Sequence, residues 1–273
     1  MNTSGKSSYK RSTISRLNAR YPWLKLCFVI IVGVVAILDL LDLTISKVKD
    51  PQDKISVAPM SRHVQITKRD ITGKKLVALT FDDGPSAITT PGLLNSLKSR
   101  EVPVTFFMLG NMARSNPDIV KRAAEEGHEV ASHTMYHQNL SYVSDASARA
   151  DIDEAKSVFE GILGQTPGLT RPPYGNYNDA ISVAASTPLI LWSVDTRDWM
   201  NREPEAIIST AMEQVYDGAI VLMHDIYDTS VVAVPQLVDR MRENGYEFVT
   251  VSELARERGV SLEKGVAYYG LRP

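Results

Sequence analysis

From Lys75 onward, short runs of apolar and β-branched residues alternate with longer stretches of helical character. The short runs are typical of buried strands, and the longer stretches are typical of amphipathic helices. Seven strands are predicted, at Leu76–Phe81, Val102–Leu109, Glu129–Ser132, Leu169–Arg171, Leu189–Val194, Ala219–Met223 and Tyr246–Val251. Strands that alternate with helices predict an α/β fold with a parallel sheet. The alternation alone does not decide whether the sheet is open or closed into a barrel.

The helices expected between these strands have recognisable ends. Asn116 supplies an N-cap, Pro117 takes the first helical position, and Gly127 follows the last turn. Three further helices are predicted at Ser144–Leu163, Pro204–Tyr216 and Val234–Glu243. Each predicted helix therefore connects one predicted strand to the next.

The N-terminal part of the chain has a different pattern, because Leu26–Leu38 is an uninterrupted run of 13 apolar or glycine positions. Counted from Trp23 to Leu43, the stretch has about 21 residues, close to the roughly 20 that span a bilayer. The alternatives are a cleaved signal peptide and a buried core helix. No good cleavage site of small residues follows Leu38. We therefore predict an uncleaved transmembrane anchor at residues 23–43.

The charges around this run predict its orientation. The basic residues that precede it are Lys6, Lys10, Arg11, Arg16, Arg20 and Lys25. No acidic residue occurs before Asp39, so residues 1–22 are predicted to be cytoplasmic and the chain after the anchor to be extracellular, in a single-pass protein of the cell membrane. Residues 44–73, with Pro51 and Pro59, are predicted to be a polar tether, and residues 74–273 to be one globular domain.

Composition narrows the function classes. The chain is 44% hydrophobic and 23% charged, as in ordinary globular proteins. The net charge of -2 provides no basic excess to neutralise phosphates, so a nucleic-acid partner is not expected. Cys27 is the only cysteine, so the stability of the fold must come from its core and not from an intrachain disulfide.

Ionisable residues stand at the ends of five predicted strands. They are Asp82 with Asp83, then His133, Arg171, Asp195 and His224. In a parallel α/β barrel, the carboxyl ends of the strands form the rim that carries the active site. We therefore expect these side chains to lie near one another.

Asp82, Asp83 and His133, together with His137, have a spacing that suits a metal site. Asp82 and Asp83 are adjacent, so their side chains point in different directions and can have different roles. His133 and His137 are four residues apart, which brings both imidazoles to one side of a helical turn or tight loop. The alternatives are an Asp-Gly turn and two unrelated surface histidines. Two histidines with one aspartate form a site that serves hydrolases and also non-haem iron oxygenases.

Hydrolysis of an amide or ester at a metal also needs a base, an acid and a stabiliser for the oxyanion. His224 is the acid candidate, and Asp195 is the carboxylate predicted to hold it protonated. Arg171 is predicted to orient a carboxylate through its guanidinium, and the prolines after it to present the backbone N–H of Tyr174 to a ligand. A structural ion pair is the alternative for Arg171 and for Asp195.

Five segments, in order, resemble the five motifs of the polysaccharide deacetylase family, also known as the NodB-homology domain or carbohydrate esterase family four. They are Thr80–Ser86, His133–His137, Arg171–Gly175, Asp195–Trp199 and Leu222–Asp225. The resemblance covers about residues 74–255, and no catalytic position departs from it. It implies a deformed (β/α) barrel that removes acetyl groups from polysaccharides with zinc or another divalent ion such as cobalt. Residues 74–273 would then be the catalytic domain.

The resemblance also implies a role for each motif residue. Asp82 resembles the general base, oriented by Arg171. His224 resembles the general acid, with its pKa tuned by Asp195. The implied metal ligands are Asp83, His133 and His137, and the implied substrate-binding residues are Tyr174, Trp199 and Leu222.

The expected substrate follows from the predicted location. A deacetylase outside the membrane would face the cell wall, so N-acetylglucosamine residues of peptidoglycan are the first expectation. Phe106–Ser141 and Asp195–Pro204 also resemble bacterial peptidoglycan deacetylases more than xylan or chitin enzymes. The alternatives are a chitooligosaccharide or another extracellular polysaccharide, and a non-catalytic carbohydrate-binding protein on the same fold. No protein partner is expected, and neither His63 nor His128 is assigned a role.

Overall fold

The computed structural model of the protein describes residues 71–273. The predicted cytoplasmic segment, the anchor and nearly all of the tether lie outside the described residues. Across 71–273, no helix combines the length and the apolar character that a membrane crossing requires.

The described residues form a mainly parallel α/β structure, as the sequence predicts. Its strands are β1 (Lys75–Asp82), β2 (Thr105–Met108), β3 (Glu129–Ser132), β4 (Leu189–Ile190), β5 (Val194–Asp195), β6 (Ala219–His224), β7 (Tyr246–Phe248) and β8 (Ala267–Tyr268). A sheet in the order β3-β2-β1-β6-β5 holds most of them, and β7 pairs with the first half of β1. Every pairing between these strands is parallel.

Single bridges extend this sheet into an interrupted ring. Thr170 bridges Ser132 at the end of β3 and Leu189 in β4. Strand β4 pairs with β8, and Gly270 beyond β8 makes an antiparallel bridge to Ala219 at the start of β6. The pairing therefore returns to β6, and the carboxyl ends of the parallel strands lie on one rim.

Eight helices occur in the described part of the chain, and most of them join successive strands. They are α1 (Thr90–Ser99), α2 (Gly110–Ser115), α3 (Pro117–Glu125), α4 (Asp145–Leu163), α5 (Asp179–Ala185), α6 (Pro204–Gln214), α7 (Asp228–Glu243) and α8 (Val251–Glu257). Helix α4 begins after Ser144, whose side chain accepts a hydrogen bond from the N–H of Ser147, and ends at Gly164 with φ of 74°. Short 3₁₀ turns occur at Leu140–Tyr142 and Pro173–Gly175.

Several predicted elements differ from the observed ones. The predicted strand Leu169–Arg171 is reduced to the bridges of Thr170, and Leu189–Val194 is divided into β4 and β5. Helix α7 begins at Asp228, six residues before the predicted start, although it contains Pro235. Its buried face, which includes Ala233 and Leu237, packs in the core and outweighs the local effect of the proline.

Strand β1 shows how the fold directs the site residues. Val77, Leu79 and Phe81 pack in a core cluster with the helices, whereas Leu76 and Ala78 pack in a second cluster with other strand residues inside the ring. Successive side chains of a strand point to opposite faces. The even-numbered positions therefore face the interior of the ring, and the last of them is the base candidate at position 82.

Candidate active site

Asp82, the base candidate, is the last residue of β1 and is almost fully buried. Its Oδ1 accepts a hydrogen bond of 2.6 Å from Nη1 of Arg171, so the two predicted partners are in contact. Burial raises the pKa of Asp82, and the charge and hydrogen bond of Arg171 act in the opposite direction. A carboxylate with a raised pKa is a stronger proton acceptor near neutral pH.

Arg171 is held from several sides although it is fully buried. Its Nη1 also donates to Thr80 Oγ1 at 2.8 Å, and its guanidinium lies 3.9 Å from the centre of the Phe107 ring. Nε donates to the carbonyl of Ile190 and Nη2 to the carbonyl of Leu191, both at 2.9 Å. These two carbonyls belong to the last residue of β4 and to the residue after it, before β5 begins at Val194. The interruption between the two strands thus provides acceptors for the arginine.

Asp83, His133 and His137 form a cluster that can hold a metal ion. One ligand atom from each lies within 4.8 Å of the others. Oδ1 of Asp83 is 3.5 Å from Nε2 of His133 and 3.4 Å from Nε2 of His137. This buried carboxylate oxygen has no hydrogen-bond partner among residues 71–273, and a bound cation would satisfy it. The three predicted ligands therefore come together and fit a divalent metal.

His133 is prepared as a neutral ligand. Its Nδ1 lies 2.8 Å from the carbonyl oxygen of Arg171, so Nδ1 carries the proton and Nε2 presents its lone pair to the cluster. Burial lowers the pKa of His133 to about 3, although the charge of Asp83 opposes this. Metal binding requires a deprotonated imidazole nitrogen, and this histidine meets that requirement over the whole neutral range.

The backbone around the cluster is strained. Asp83, Thr134 and His137 have φ angles of 74°, 69° and 56°, in the left-handed region that non-glycine residues seldom adopt. The loop between the two histidines is fixed by Asp151 on α4, whose Oδ1 accepts the N–H of Met135 at 2.7 Å. Strain of this kind persists only where the surrounding structure enforces it, and it is concentrated at functional sites.

The partner of His224 is Asp198, and the prediction that Asp195 fills this place is wrong. Nδ1 of His224 lies 2.8 Å from Oδ1 of Asp198, and the backbone N–H of His224 donates to Oδ2 of the same carboxylate at 2.7 Å. Ser230 Oγ also donates to that Oδ2, at 2.6 Å. Burial alone would lower the pKa of His224, but the hydrogen bond and charge of Asp198 outweigh it and raise the pKa to about 9.

The conformation of the loop after β5 explains why Asp198, and not Asp195, contacts His224. Asp195 ends β5, and its Oδ1 accepts the N–H of Arg197 at 2.8 Å, so its carboxylate folds back on its own loop. Arg197 has φ of 55°, which turns the chain and brings the fully buried Asp198 beneath His224. Asp195 still lines the active-site cavity, but it does not orient the imidazole.

A cavity of about 400 Å³ opens beside the metal cluster. All three predicted substrate-binding residues, Tyr174, Trp199 and Leu222, line it together with Asp82, Asp83, His133, His137 and His224. Tyr174 has φ of 61°, and the centre of its ring lies 4.6 Å from the centre of the His137 ring. Every residue that the sequence predicts for the site is therefore at this cavity or, like Arg171, in contact with one of its lining residues.

The prediction omitted three residues that the structure brings into the site. Asp198 is adjacent to Trp199 within the fourth motif, so it was available as a second carboxylate at that strand end. Trp192 and Tyr227 line the cavity. Trp192 stood inside a predicted strand, and Tyr227 stood two residues beyond the fifth motif, so neither had a sequence signal of its own.

Comparison with known proteins identifies a matching family and similar proteins. Residues 69–190 match the family described as polysaccharide deacetylase. A peptidoglycan-N-acetylglucosamine deacetylase of Bacillus cereus is 39% identical over 191 residues, which are 67% of this chain and 89% of that protein. The peptidoglycan-N-acetylglucosamine deacetylase PgdA of Listeria monocytogenes is 40% identical over 195 residues, 71% of this chain and 41% of its own length.

A solved structure has a similar fold and was determined with a bound metal ion. The family 4 acetyl xylan esterase of Clostridium thermocellum, in complex with a cobalt ion, superposes with a TM-score of 0.69 at 28% identity, over 72% of this chain and 99% of that one. The chain spans less than half the length of the Listeria relative, but it covers nearly all of the Bacillus cereus protein. The chain therefore belongs to the polysaccharide deacetylase family.

Proposed function

We propose that the protein is a metal-dependent hydrolase that removes acetyl groups from N-acetylglucosamine residues of peptidoglycan. The observation that carries this proposal is the position of the metal cluster between two separate proton-transfer groups. Oδ2 of Asp82 lies 3.7 Å from Nε2 of His133, and Nε2 of His224 lies 4.0 Å from Oδ2 of Asp83. A base and an acid thus face the same small volume from different sides.

A divalent metal held by Asp83, His133 and His137 would supply a Lewis acid for the acetyl carbonyl and lower the pKa of bound water. We propose zinc as the ion, because two imidazoles and one carboxylate are ligands that zinc commonly takes in catalytic sites. Cobalt and other divalent ions suit the same donors.

The chain's own residues then carry the protons. Asp82, oriented by Arg171, is placed to take a proton from the attacking water, and His224 is placed to donate one to the departing sugar nitrogen. His224 is protonated at neutral pH because Asp198 raises its pKa. Separate residues allow each pKa to suit its own step. The backbone N–H of Tyr174 is proposed to stabilise the oxyanion, and Trp199 and Leu222 to enclose the acetyl group.

The substrate is proposed from the relatives, two of which carry the name peptidoglycan-N-acetylglucosamine deacetylase. Chitooligosaccharide and other extracellular polysaccharides contain the same acetamide and are the alternatives within this activity. A non-catalytic carbohydrate-binding role is disfavoured, because both the base and the acid are present and each has its charged partner.

Acetate release from purified peptidoglycan and from N-acetylglucosamine oligomers tests the proposal. The full chain supplied with zinc should release acetate, and a chelator should abolish the release until metal is restored. Asp82→Asn should lower the rate by about 10²- to 10⁴-fold, the usual contribution of a positioned proton-transfer group. Acetate released from neither substrate would refute the deacetylase proposal, and an undiminished rate in Asp82→Asn would refute the assignment of the base.

We also propose that residues 23–43 anchor the protein in the cell membrane with the catalytic domain outside. The apolar run and the basic residues before it support this location. The full chain should fractionate with membranes and should be degraded by protease added to cells without their outer wall. Deletion of 23–43 should release it from the membrane fraction. Recovery of the intact full chain in the soluble fraction would contradict the anchor.

A further inference from the structure

An arginine and a tyrosine stack beside the acid candidate at the edge of the active-site cavity. Tyr227 lines the cavity, and the centre of its ring lies 5.6 Å from the centre of the His224 ring. Cζ of Arg202 lies 3.5 Å from the centre of the same tyrosine ring. Two consecutive contacts therefore connect this guanidinium to the residue that is proposed to protonate the departing nitrogen.

The chain on either side of each residue restricts where this pair can lie. Tyr227 follows the end of β6 by three residues and directly precedes α7. Arg202 follows a turn in which two backbone N–H groups donate to the carbonyl of Arg197, at 3.0 and 2.7 Å. Helix α6 begins two residues after Arg202. The backbone of both residues is therefore held by neighbouring regular structure, and the stacked side chains are fixed at the cavity edge.

The stacking uses the face of the guanidinium and leaves its edge available to a ligand. The five N–H donors of an arginine side chain lie in the plane of the guanidinium, so a contact through its face does not consume them. Arg202 is exposed, and within residues 71–273 it forms no ion pair with an aspartate or glutamate. An arginine held in this way is suited to bind a carboxylate through two parallel hydrogen bonds.

Peptidoglycan and chitooligosaccharide differ in the charge that they would bring to this position. In peptidoglycan, N-acetylglucosamine alternates with N-acetylmuramic acid, whose lactyl ether ends in a carboxyl group or carries a peptide with carboxylates of its own. A chain of N-acetylglucosamine alone has no charged group. A sugar next to the reacting one leaves the cavity across its edge, and Tyr227 with Arg202 forms one part of that edge.

We propose that Arg202, stacked on Tyr227, binds a carboxylate of the N-acetylmuramic acid unit next to the reacting N-acetylglucosamine. This contact would make the protein prefer peptidoglycan to neutral polymers of N-acetylglucosamine. The inference rests on the proposed deacetylase function and specifies the substrate class of the same site. The lactyl ether and the attached peptide present the same carboxylate chemistry, and the experiment distinguishes these two sources.

Calorimetric binding separates this inference from the question of catalysis. The full chain carrying Asp82→Asn, with zinc present, is titrated with three tetrasaccharides. One is the neutral N-acetylglucosamine tetramer, one alternates N-acetylglucosamine with N-acetylmuramic acid that has free lactyl carboxylates, and one is the same alternating glycan with its peptides attached. Adding Arg202→Gln should weaken the binding of an anionic glycan by about five- to tenfold, and that of the neutral tetramer by less than about twofold.

The anionic glycans identify the source of the carboxylate. A loss of affinity for the peptide-free glycan would assign the contact to the lactyl group, and a loss confined to the peptide-bearing glycan would assign it to the peptide. Added salt should reduce the effect of the substitution, because the contact is exposed to solvent. If Arg202 only supported the ring of Tyr227, the substitution would weaken all three glycans alike.

Matched variants test whether the charge of this arginine is the cause. Arg202→Lys keeps the charge without the planar fork and should retain part of the preference for anionic glycans. Arg272→Gln removes another exposed arginine, whose Cζ lies 4.2 Å from the centre of the Tyr216 ring before the start of β6, and it should change no affinity. Equal losses for neutral and anionic glycans, no loss at all, or the same loss in Arg272→Gln would each overturn the inference. Acetate release by the unsubstituted chain from the same glycans tests the deacetylase function separately.

Discussion

Two buried charged pairs stand on either side of the metal cluster, and their comparison shows how one site can hold a base and an acid. In the first pair, Arg171 contacts Asp82 at 2.6 Å; in the second, Asp198 contacts His224 at 2.8 Å. Asp82 is the negative member of its pair, whereas His224 is the positive member of its pair. The supporting residue sets the charge of each reactive group, because the cation of Arg171 favours a carboxylate and the buried carboxylate of Asp198 favours an imidazolium.

The two supports are also fixed by different parts of the fold. Arg171 is held inside the ring by backbone carbonyls at the end of β4 and by Thr80. Asp198 belongs to a loop and is held by the N–H of His224 and by Ser230 at the start of α7. Asp82 and His224 each end a strand. The support of the base is therefore held by strand residues, whereas the support of the acid depends on one loop and one helix end.

The largest effect is expected where the buried cation is removed. Arg171→Met should lower the free energy of unfolding by about 3–5 kcal/mol, because it leaves the charge of Asp82 buried and unpaired. Acetate release by the folded fraction should fall by about 10²-fold or more, since the base loses its orientation. Denaturation followed by circular dichroism, together with a rate measurement at low temperature, would check both.

Arg114→Met is the matched control for this variant. Arg114 contacts Glu154 at the same distance of 2.6 Å, but both side chains are well exposed. Solvent screens such pairs, so this variant should leave stability and rate close to those of the unsubstituted chain. Equal destabilisation by the two variants would mean that burial does not distinguish the pairs.

A smaller but more specific effect is expected from Asp198→Asn. His224 must be protonated to act as an acid, so activity should be present below its pKa of about 9 and be lost as the pH rises through that value. Without the negative charge, burial lowers the pKa of His224, and the alkaline limb of the pH–rate profile should move to lower pH. At neutral pH, kcat should fall by about 10²-fold, the lower range for loss of acid catalysis.

Asp195→Asn provides the contrast within the same loop. In the described part of the chain, its carboxylate accepts a hydrogen bond from the N–H of Arg197 alone, and an amide oxygen can accept the same bond. The alkaline limb should stay in place, although KM can change because Asp195 lines the cavity. A shift of the alkaline limb in Asp195→Asn but not in Asp198→Asn would reverse the assignment made from the contacts.

The same contrast explains which parts of the site the sequence predicts. The contact of Arg171 with Asp82 follows from regular structure, because alternate positions of a buried strand face the ring interior. The metal ligands follow from spacing and motif order. The position of Asp198 beside His224 depends on a positive φ at Arg197, which no sequence pattern indicates. The sequence therefore favours Asp195, which directly follows a predicted strand.

The strands and helices likewise differ in how well the sequence predicts them. Long buried strands such as β1 and β6 and the capped helix α4 are predictable, since hydrophobic periodicity and caps are local signals. The division of Leu189–Val194 depends on carbonyls that turn toward Arg171, and β8 consists of two residues whose partner lies far away in sequence. Such features arise from tertiary contacts that a single sequence does not display.

The smallest effect is expected at the helix end that supports Asp198. Ser230→Ala removes the 2.6 Å hydrogen bond to Oδ2 of Asp198, but the N–H of His224 still donates to the same oxygen. Loss of one hydrogen bond among several is worth about 1 kcal/mol, so kcat should fall only a few-fold and the alkaline limb should stay near its original pH. Ser193→Ala, which loses a hydroxyl that contacts Ile220 near the opposite end of β6, should leave kcat unchanged. If Ser230→Ala matched Asp198→Asn in its effect, the carboxylate would act on His224 mainly through its position and not through its charge.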